Sequence, residues 1–379
     1  MIPVCIEQLW GRITKEWCKD MRSRSIELLI VGTAFGAFFC GALAAAAQST
    51  PQRSLLALSK RNHTLAIVDP ATLQVIARAP VGPDPHEVIA SSDGRTAYVS
   101  IYGGGRYHAL SVIDLVAQKA LPEIDTGALN GPHGLAFVGG KLWFTAEGAK
   151  AIARYDPVTA KVDWIMGTGQ NRTHMIHVTA DEKQIYTTNI SSGTVSILEK
   201  VTLPPPGPPP GMQPPPGAMP PPPGAQQPRT DWNETVITVG KGDEGFDVSP
   251  DGRELWTANA QEGTLSVIDI ATMKVTATLD AKVLSANRLK FTPDGKLVLI
   301  SMLGNGDLVI YDAASRKEFK RVKIGHGAAG ILMDPEGGRA FIGCSPDNYV
   351  AVVDLKTLEV TGHIDVGGEP DGLAWAVRP

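Results

Sequence analysis

Cysteine is scarce where it would matter most. The chain has four cysteines in 379 residues, and Cys5, Cys18 and Cys40 all precede residue 48, leaving Cys344 alone in the rest. A single thiol makes no internal disulfide, so stability has to come from packing. Cys344 ends an apolar strand pattern and reads as a buried, inert thiol. An excess of one charge sign is also missing. The net charge is −4 and there is no Lys/Arg block, which argues against nucleic acid as a partner. After residue 47 no stretch shows the 3.6-residue apolar period of an amphipathic helix. The chain has no Gly-x-Ser-x-Gly elbow, no phosphate loop and no Cys-x-x-Cys-His haem attachment, and the Gly103-Gly104-Gly105 run is not followed by a helix pattern.

What is present begins with a targeting pattern. Arg22 and Arg24 precede an almost wholly apolar run from Ile26 to Ala47 that ends in Ala45-Ala46-Ala47. This predicts a signal peptide over residues 1–47, with the mature protein exported to the periplasm or beyond the cell. A permanent N-terminal anchor is the alternative, since the run approaches spanning length. Met21 stands just before the basic pair and could be the true start. Phe38 and Phe39 before Cys40 do not fit a lipoprotein signal.

The rest of the chain repeats. Apolar strands end in an acidic residue at Asp69, Asp114, Asp156, Glu199, Asp269, Asp312 and Asp354, at steps of 45, 42, 43, 70, 43 and 42. Between them fall Asp-Gly-type turns such as 249–252 (SPDG) and 292–295 (TPDG), each followed by a short aliphatic or aromatic strand. Each unit reads as four antiparallel strands, and such a unit is one propeller blade. Residues 54–80 supply the last three strands of a blade and 372–376 supply only a first strand. Together they complete one blade and close the ring. The expectation for residues 48–379 is an all-β, seven-bladed β-propeller. The recurrent Asp is explained structurally, as an acceptor for backbone N–H groups of the turn that follows it.

The segment VGKGDEGFDVSPDGRELWTANAQEGTLSVIDIATMKVTATLD at 239–280 resembles the YVTN-type β-propeller family, and the resemblance extends over 54–379. It implies the same fold. For activity it implies little, because such relatives include surface-layer proteins, binding proteins and lactonase- or lyase-like enzymes. WD repeats match poorly, since the Trp-Asp ending is absent.

The long step between Glu199 and Asp269 holds a proline-rich insertion at 204–228. Proline cannot enter a sheet interior, so this is an excursion between two strands. As polyproline II, at ~3.1 Å per residue, it could reach on the order of 70 Å. It reads either as a tolerated low-complexity loop or as an arm toward another protein or the cell wall.

One set of positions could hold chemistry. Seven residues before the Asp of each first turn lie His86, His133, His174, Glu244, Asn287, Ala329 and Asp371, with His133 placed by its Pro-His-Gly match. These open the innermost strands and so rim the central channel. Three of the seven are histidine although the whole chain has only eight. His86, His133 and His174 are therefore candidate ligands for one divalent metal, zinc, copper or iron. Asn287 and Asp371 are candidate ligand-binding residues. His63, His108 and His326 are expected in loops on the same face and are further candidates, while His177 packs between blades and His363 is peripheral. The bland alternative is a solvated polar rim with no ligand.

Two functional classes follow. One is an exported binding or scaffold protein that recognises a small molecule or a protein on the His-lined face. The other is a metal-dependent hydrolase or lyase, of lactonase or virginiamycin B lyase type, with Glu244 as general base. An accessory role in periplasmic electron transfer, as a partner without its own haem, is a third. A closed ring has no free edge, so a monomer is expected.

Overall fold

The computed structural model describes residues 48–204 and 228–379, together with Gly217 and Met219. The predicted leader at 1–47 and most of the proline-rich insertion lie outside the described residues.

Short β-branched and aromatic strands, most of them six or seven residues long and broken by turns in which Asp or Gly residues recur, form seven four-stranded antiparallel sheets. No helix of the described residues is long and apolar enough to cross a membrane. Numbered in chain order, the blades begin with innermost strands at Pro85–Ala90 (blade 2), Pro132–Val138 (blade 3), Thr173–Val178 (blade 4), Asp243–Val248 (blade 5), Ala286–Phe291 (blade 6) and Ala328–Met333 (blade 7). Blade 1 is the composite. Its outer three strands are Arg53–Ser59, Thr64–Asp69 and Gln74–Pro80, and its innermost strand is Pro370–Val377 from the other end of the chain. The closing pairs include Arg53 with Val377 and Leu55 with Trp375.

Packing follows from the two-residue period of a strand. Leu56 and Leu58 face blade 2, while Leu55 and Ala57, alternating with them, face blade 7. The same alternation runs round the ring, so the core is seven apolar clusters, one at each blade interface. A sheet with both faces apolar can bury them only between neighbours, and that drives closure.

The recurrent Asp behaves as the repeat suggests. Asp69 accepts the N–H of Ala71 at 2.9 Å, Asp114 that of Ala117 at 2.8 Å and Asp354 that of Thr357 at 2.7 Å. Cys344 is fully buried, and burial pushes its thiol up to about 12. The strands flanking the insertion are longer than their neighbours. They run from Thr194 to Leu203 and from Arg229 to Thr238 and pair over their whole length, so the hairpin continues well past its neighbours before the proline-rich stretch.

Candidate functional site

Two positional rings converge at the axis. The first is the one read from the sequence, at the start of each innermost strand. The next residue on those strands is often glycine, and it has to be. A Cβ at Gly134 would lie 2.5 Å from the His174 carbonyl oxygen, and one at Gly372 would strike that of His86. The close approach at Gly134 brings the innermost strands that carry His133 and His174 together. The rings of His86, His133 and His174 step from blade to blade with centroids 4.9 Å (86 to 133) and 3.9 Å (133 to 174) apart.

The second ring is the residue just past each second strand. Lys60, Tyr102, Glu147, Ile190, Ala260, Leu303 and Ser345 occupy it, and Lys60, Tyr102, Leu303 and Ser345 line the same axial cavity of about 300 Å³. Glu147 lies directly behind, bonded to a lining histidine. Sequence inspection missed this ring, although one constant offset from strand end would have found it.

His174 is the best-defined member. Its Nδ1–H donates to Glu147 Oε1 in a short hydrogen bond, and both side chains are 2% exposed. In the neutral ring this leaves Nε2 as a bare lone pair, and Nε2 is buried with no partner. Glu147 is held further by Tyr102, whose hydroxyl donates at 2.5 Å, and by Arg172 Nε at 3.3 Å. Burial pushes the Glu147 carboxyl up, but the bonds from His174 and Tyr102 and the Arg172 charge outweigh it and leave it at about 2. Tyr102 is pushed up to about 12 by burial and by that same carboxylate. His133 is buried, and burial first, then the neighbouring histidines and cations, hold it well below the usual imidazole range. It is therefore neutral. Its Nε2 lies 3.1 Å from His86 Nδ1, and its Nδ1 has no partner. His133, Glu147 and His174 offer ligand atoms within 4.8 Å of one another.

The remaining predicted residues divide. His86 lines the cavity, but both of its nitrogens are engaged, Nδ1 by His133 and Nε2 by Asp84 at 3.0 Å and Lys60 at 2.8 Å. Glu244, Asn287 and Asp371 also line it. Glu244 Oε1 accepts from Asn287 Nδ2 at 2.8 Å and lies 3.8 Å from His174 Nε2, while Asn287 Oδ1 is buried without a partner. His63, His108 and His326 are not brought into the cavity. All three are exposed on their loops, where His108 pairs with Asp125 at 2.9 Å and His326 with Asp347 at 3.0 Å. His63 and His108 sit at the far ends of loops between second and third strands, and His326 lies two residues before an innermost strand, so sharing a face does not bring a side chain to the centre.

Beneath the rim, Arg288 of blade 6 reaches across the axis to Glu87 of blade 2 in a short ion pair. Burial alone would weaken the hold of Arg288 on its proton, but Glu87, Asp371 and Glu244 more than offset it and keep the guanidinium charged. Arg288 itself lines the cavity.

Part of the chain matches a known family. Residues 223–339 match the family described as the cytochrome D1 heme domain. That stretch includes Glu244, Asn287 and Arg288 but none of the three axial histidines. No match was found among curated proteins. Among solved structures, a candidate 6-phosphogluconolactonase from Bacteroides uniformis is similar at 15% identity and TM-score 0.65, covering 85% of this chain and 99% of that one. Hydrazine synthase of Kuenenia stuttgartiensis is similar at 17% identity and TM-score 0.60, over 76% and 89%. The dihydro-heme d1 dehydrogenase NirN is similar at 14% identity and TM-score 0.56, over 86% and 75%. At these identities the likeness is one of fold, the seven-bladed propeller.

The residues of the cavity do not fit a haem. A tetrapyrrole needs a slot with apolar faces and a donor nitrogen that can reach its iron. This cavity is lined by Lys60, Arg172, Glu244, Arg288 and Asp371, and the two unpartnered imidazole nitrogens lie on rings only 2% exposed. A bare ion, by contrast, needs only those lone pairs.

Proposed function

We propose that the protein is an exported propeller that binds one divalent transition-metal ion, zinc, copper or iron, in the His-lined axial pocket, and that it acts as a binding or scaffold protein through that face. One observation carries this reading: His174 Nε2 and His133 Nδ1 are buried without partners and line one cavity. Asn287 Oδ1 is a third acceptor in the same state. A cavity of unpartnered acceptors asks for a ligand with positive charge or with donors of its own. The charge balance agrees. The pocket and its bonded partners hold four cations (Lys60, Arg61, Arg172, Arg288) and six carboxylates (Asp84, Glu87, Glu147, Glu244, Glu369, Asp371), two negative charges in excess. The Glu147–His174 pair is the carboxylate–imidazole arrangement that fixes the tautomer of a ligating histidine and strengthens its free nitrogen. His174 and His133 would hold the ion, with Glu244 as its nearest charge partner, and the ion would supply a Lewis-acid anchor for a small molecule or protein at the rim.

Export rests on the leader pattern, and the repeat is of the YVTN type by resemblance. The proline-rich segment would serve as a spacer toward a protein or the cell wall, and the closed ring favours a monomer. A second reading, a metal-dependent hydrolase or lyase, draws support from the Glu244 carboxylate 3.8 Å from His174 Nε2, where a general base would stand.

The test is elemental mass spectrometry on tag-free protein, with an absorption spectrum of the same sample. About one equivalent of metal is expected in the parent and none in a folded His133→Ala/His174→Ala variant. Glu147→Gln should bind about 10–100-fold more weakly. A parent that takes up no zinc, copper or iron would overturn the proposal, and a Soret band would put a tetrapyrrole in place of the ion. Turnover lost with the metal would favour the second reading.

A further inference from the structure

His86 Nε2 has two suitors that exclude each other. Asp84 Oδ1 lies 3.0 Å away and can only accept a proton, while Lys60 Nζ lies 2.8 Å away and can only donate one. On the other side of the ring, His86 Nδ1 lies 3.1 Å from His133 Nε2. With His86 neutral, the two imidazoles and their partners form a chain in which the choice made at one end dictates the other.

Both arrangements can be written out. When His86 Nε2–H donates to Asp84, its Nδ1 is an acceptor and takes the His133 Nε2–H. His133 Nδ1 is then a bare lone pair facing the buried site. When Lys60 donates to His86 Nε2, the His86 proton sits on Nδ1 and is given to His133 Nε2, and His133 carries its own proton on Nδ1. That nitrogen can then take no metal. Asp371 Oδ2, 3.6 Å from His86 Nδ1 and 3.4 Å from Lys60, favours the second arrangement. In passing from the first to the second, one proton crosses the His133–His86 bond, one leaves His86 Nε2 to water and one reaches His133 Nδ1 from water. Both rings stay neutral and net charge is unchanged.

We propose that His86 is a positioning residue rather than a ligand, and that competition between Asp84 and Lys60 for its Nε2 sets which nitrogen of His133 is free, so that the rim of the pocket controls whether the buried site accepts a metal ion. This rests on the metal reading above. It also joins the partly exposed rim, where Lys60 and Asp84 are 24% and 36% exposed, to a nitrogen buried beneath it. An anionic ligand that draws Lys60 away would open the metal site, so anion and metal would bind with positive coupling.

The experiment reads the tautomer directly. Protein labelled with ¹⁵N-histidine is stripped of metal, and long-range ¹H–¹⁵N correlation spectra report which nitrogen of each ring carries the proton. Lys60→Met should move His133 to the Nε2–H form and tighten cobalt binding about tenfold. Asp84→Asn, whose amide can donate to His86, should move it to the Nδ1–H form and weaken cobalt binding about tenfold. Identical His133 tautomers in the parent and both variants would overturn the relay, even if affinities changed, because removing a charge alters affinity by Coulomb attraction alone. Failure of the parent to bind cobalt would sink the metal reading instead, while the tautomer spectra would still decide the relay. Thermal melts of both variants check that the fold is kept.

Discussion

Asp243 opens the innermost strand of blade 5, one residue before Glu244, and is fully buried. Its Oδ2 accepts the Asn189 N–H at 3.1 Å, but its Oδ1 has no partner, and Oδ1 of Asn259, opposite it in the sheet, has none either. Burial pushes the Asp243 carboxyl up to about 8 from an ordinary value of 3.8. It is thus protonated at neutral pH, which places a donor across from Asn259. A carboxyl raised in the fold favours folding most where both states are protonated, below pH 4, and loses that contribution as pH climbs from 4 to 8. Stability measured by urea should therefore fall over that window by on the order of a few kcal/mol, and Asp243→Asn should flatten the fall. A variant with the parent's pH profile would show that another group is responsible. The residue scale is also where the sequence was least legible. His86, His133 and His174 stood out because a rare residue recurred at one offset. Glu147 did not, because its counterparts are Lys60, Tyr102, Ile190, Ala260, Leu303 and Ser345, and no shared chemistry marks their common place. Nor could spacing reveal that His86 spends both nitrogens on neighbours, since that depends on Lys60 and Asp84 meeting it in space.

At the scale of the element, the long hairpin of blade 4 has an anchor. Trp232, on its outer strand, packs against Trp164 and Trp143 of blade 3, with ring centroids 5.6 and 6.4 Å away, and Lys200 lies over its face. Aromatic edges and faces at these distances stabilise beyond the area they bury. Trp232→Ala should cost about 2 kcal/mol in urea unfolding and leave metal affinity unchanged, because the cluster lies away from the axial cavity. An affinity change would mean that the blade 3–4 interface transmits strain to His133 and His174. The elements themselves were largely legible, since alternation and turn residues marked the strands and the Asp after each third strand marked the turns. The extra length of this hairpin was hidden. Its added segments, KVTL and RTDW, pair residue for residue up to the proline-rich stretch, and nothing in their composition marks how far that pairing runs.

For the whole molecule, the decisive contact joins its two ends. The strand Pro370–Val377 is the innermost strand of blade 1, and its residues Leu373 and Trp375 pack into the cluster between blades 7 and 1. A chain ending at Glu369 should lose its cooperative thermal transition, because blades 7 and 2 would each face a blade without its inner edge. A sharp transition at the parent's temperature would show that six complete blades suffice. Closure was readable in the sequence because the chain begins mid-repeat and ends with the missing piece. The Arg288–Glu87 bridge beneath the rim was not, for it joins residues 201 positions apart that meet only once the ring exists. That bridge acts as a tie-rod between opposite walls of the ring, from blade 6 to blade 2. Loosening either end would free both walls at once, so the spacing of the axial side chains is held in part by a contact that no single blade can make.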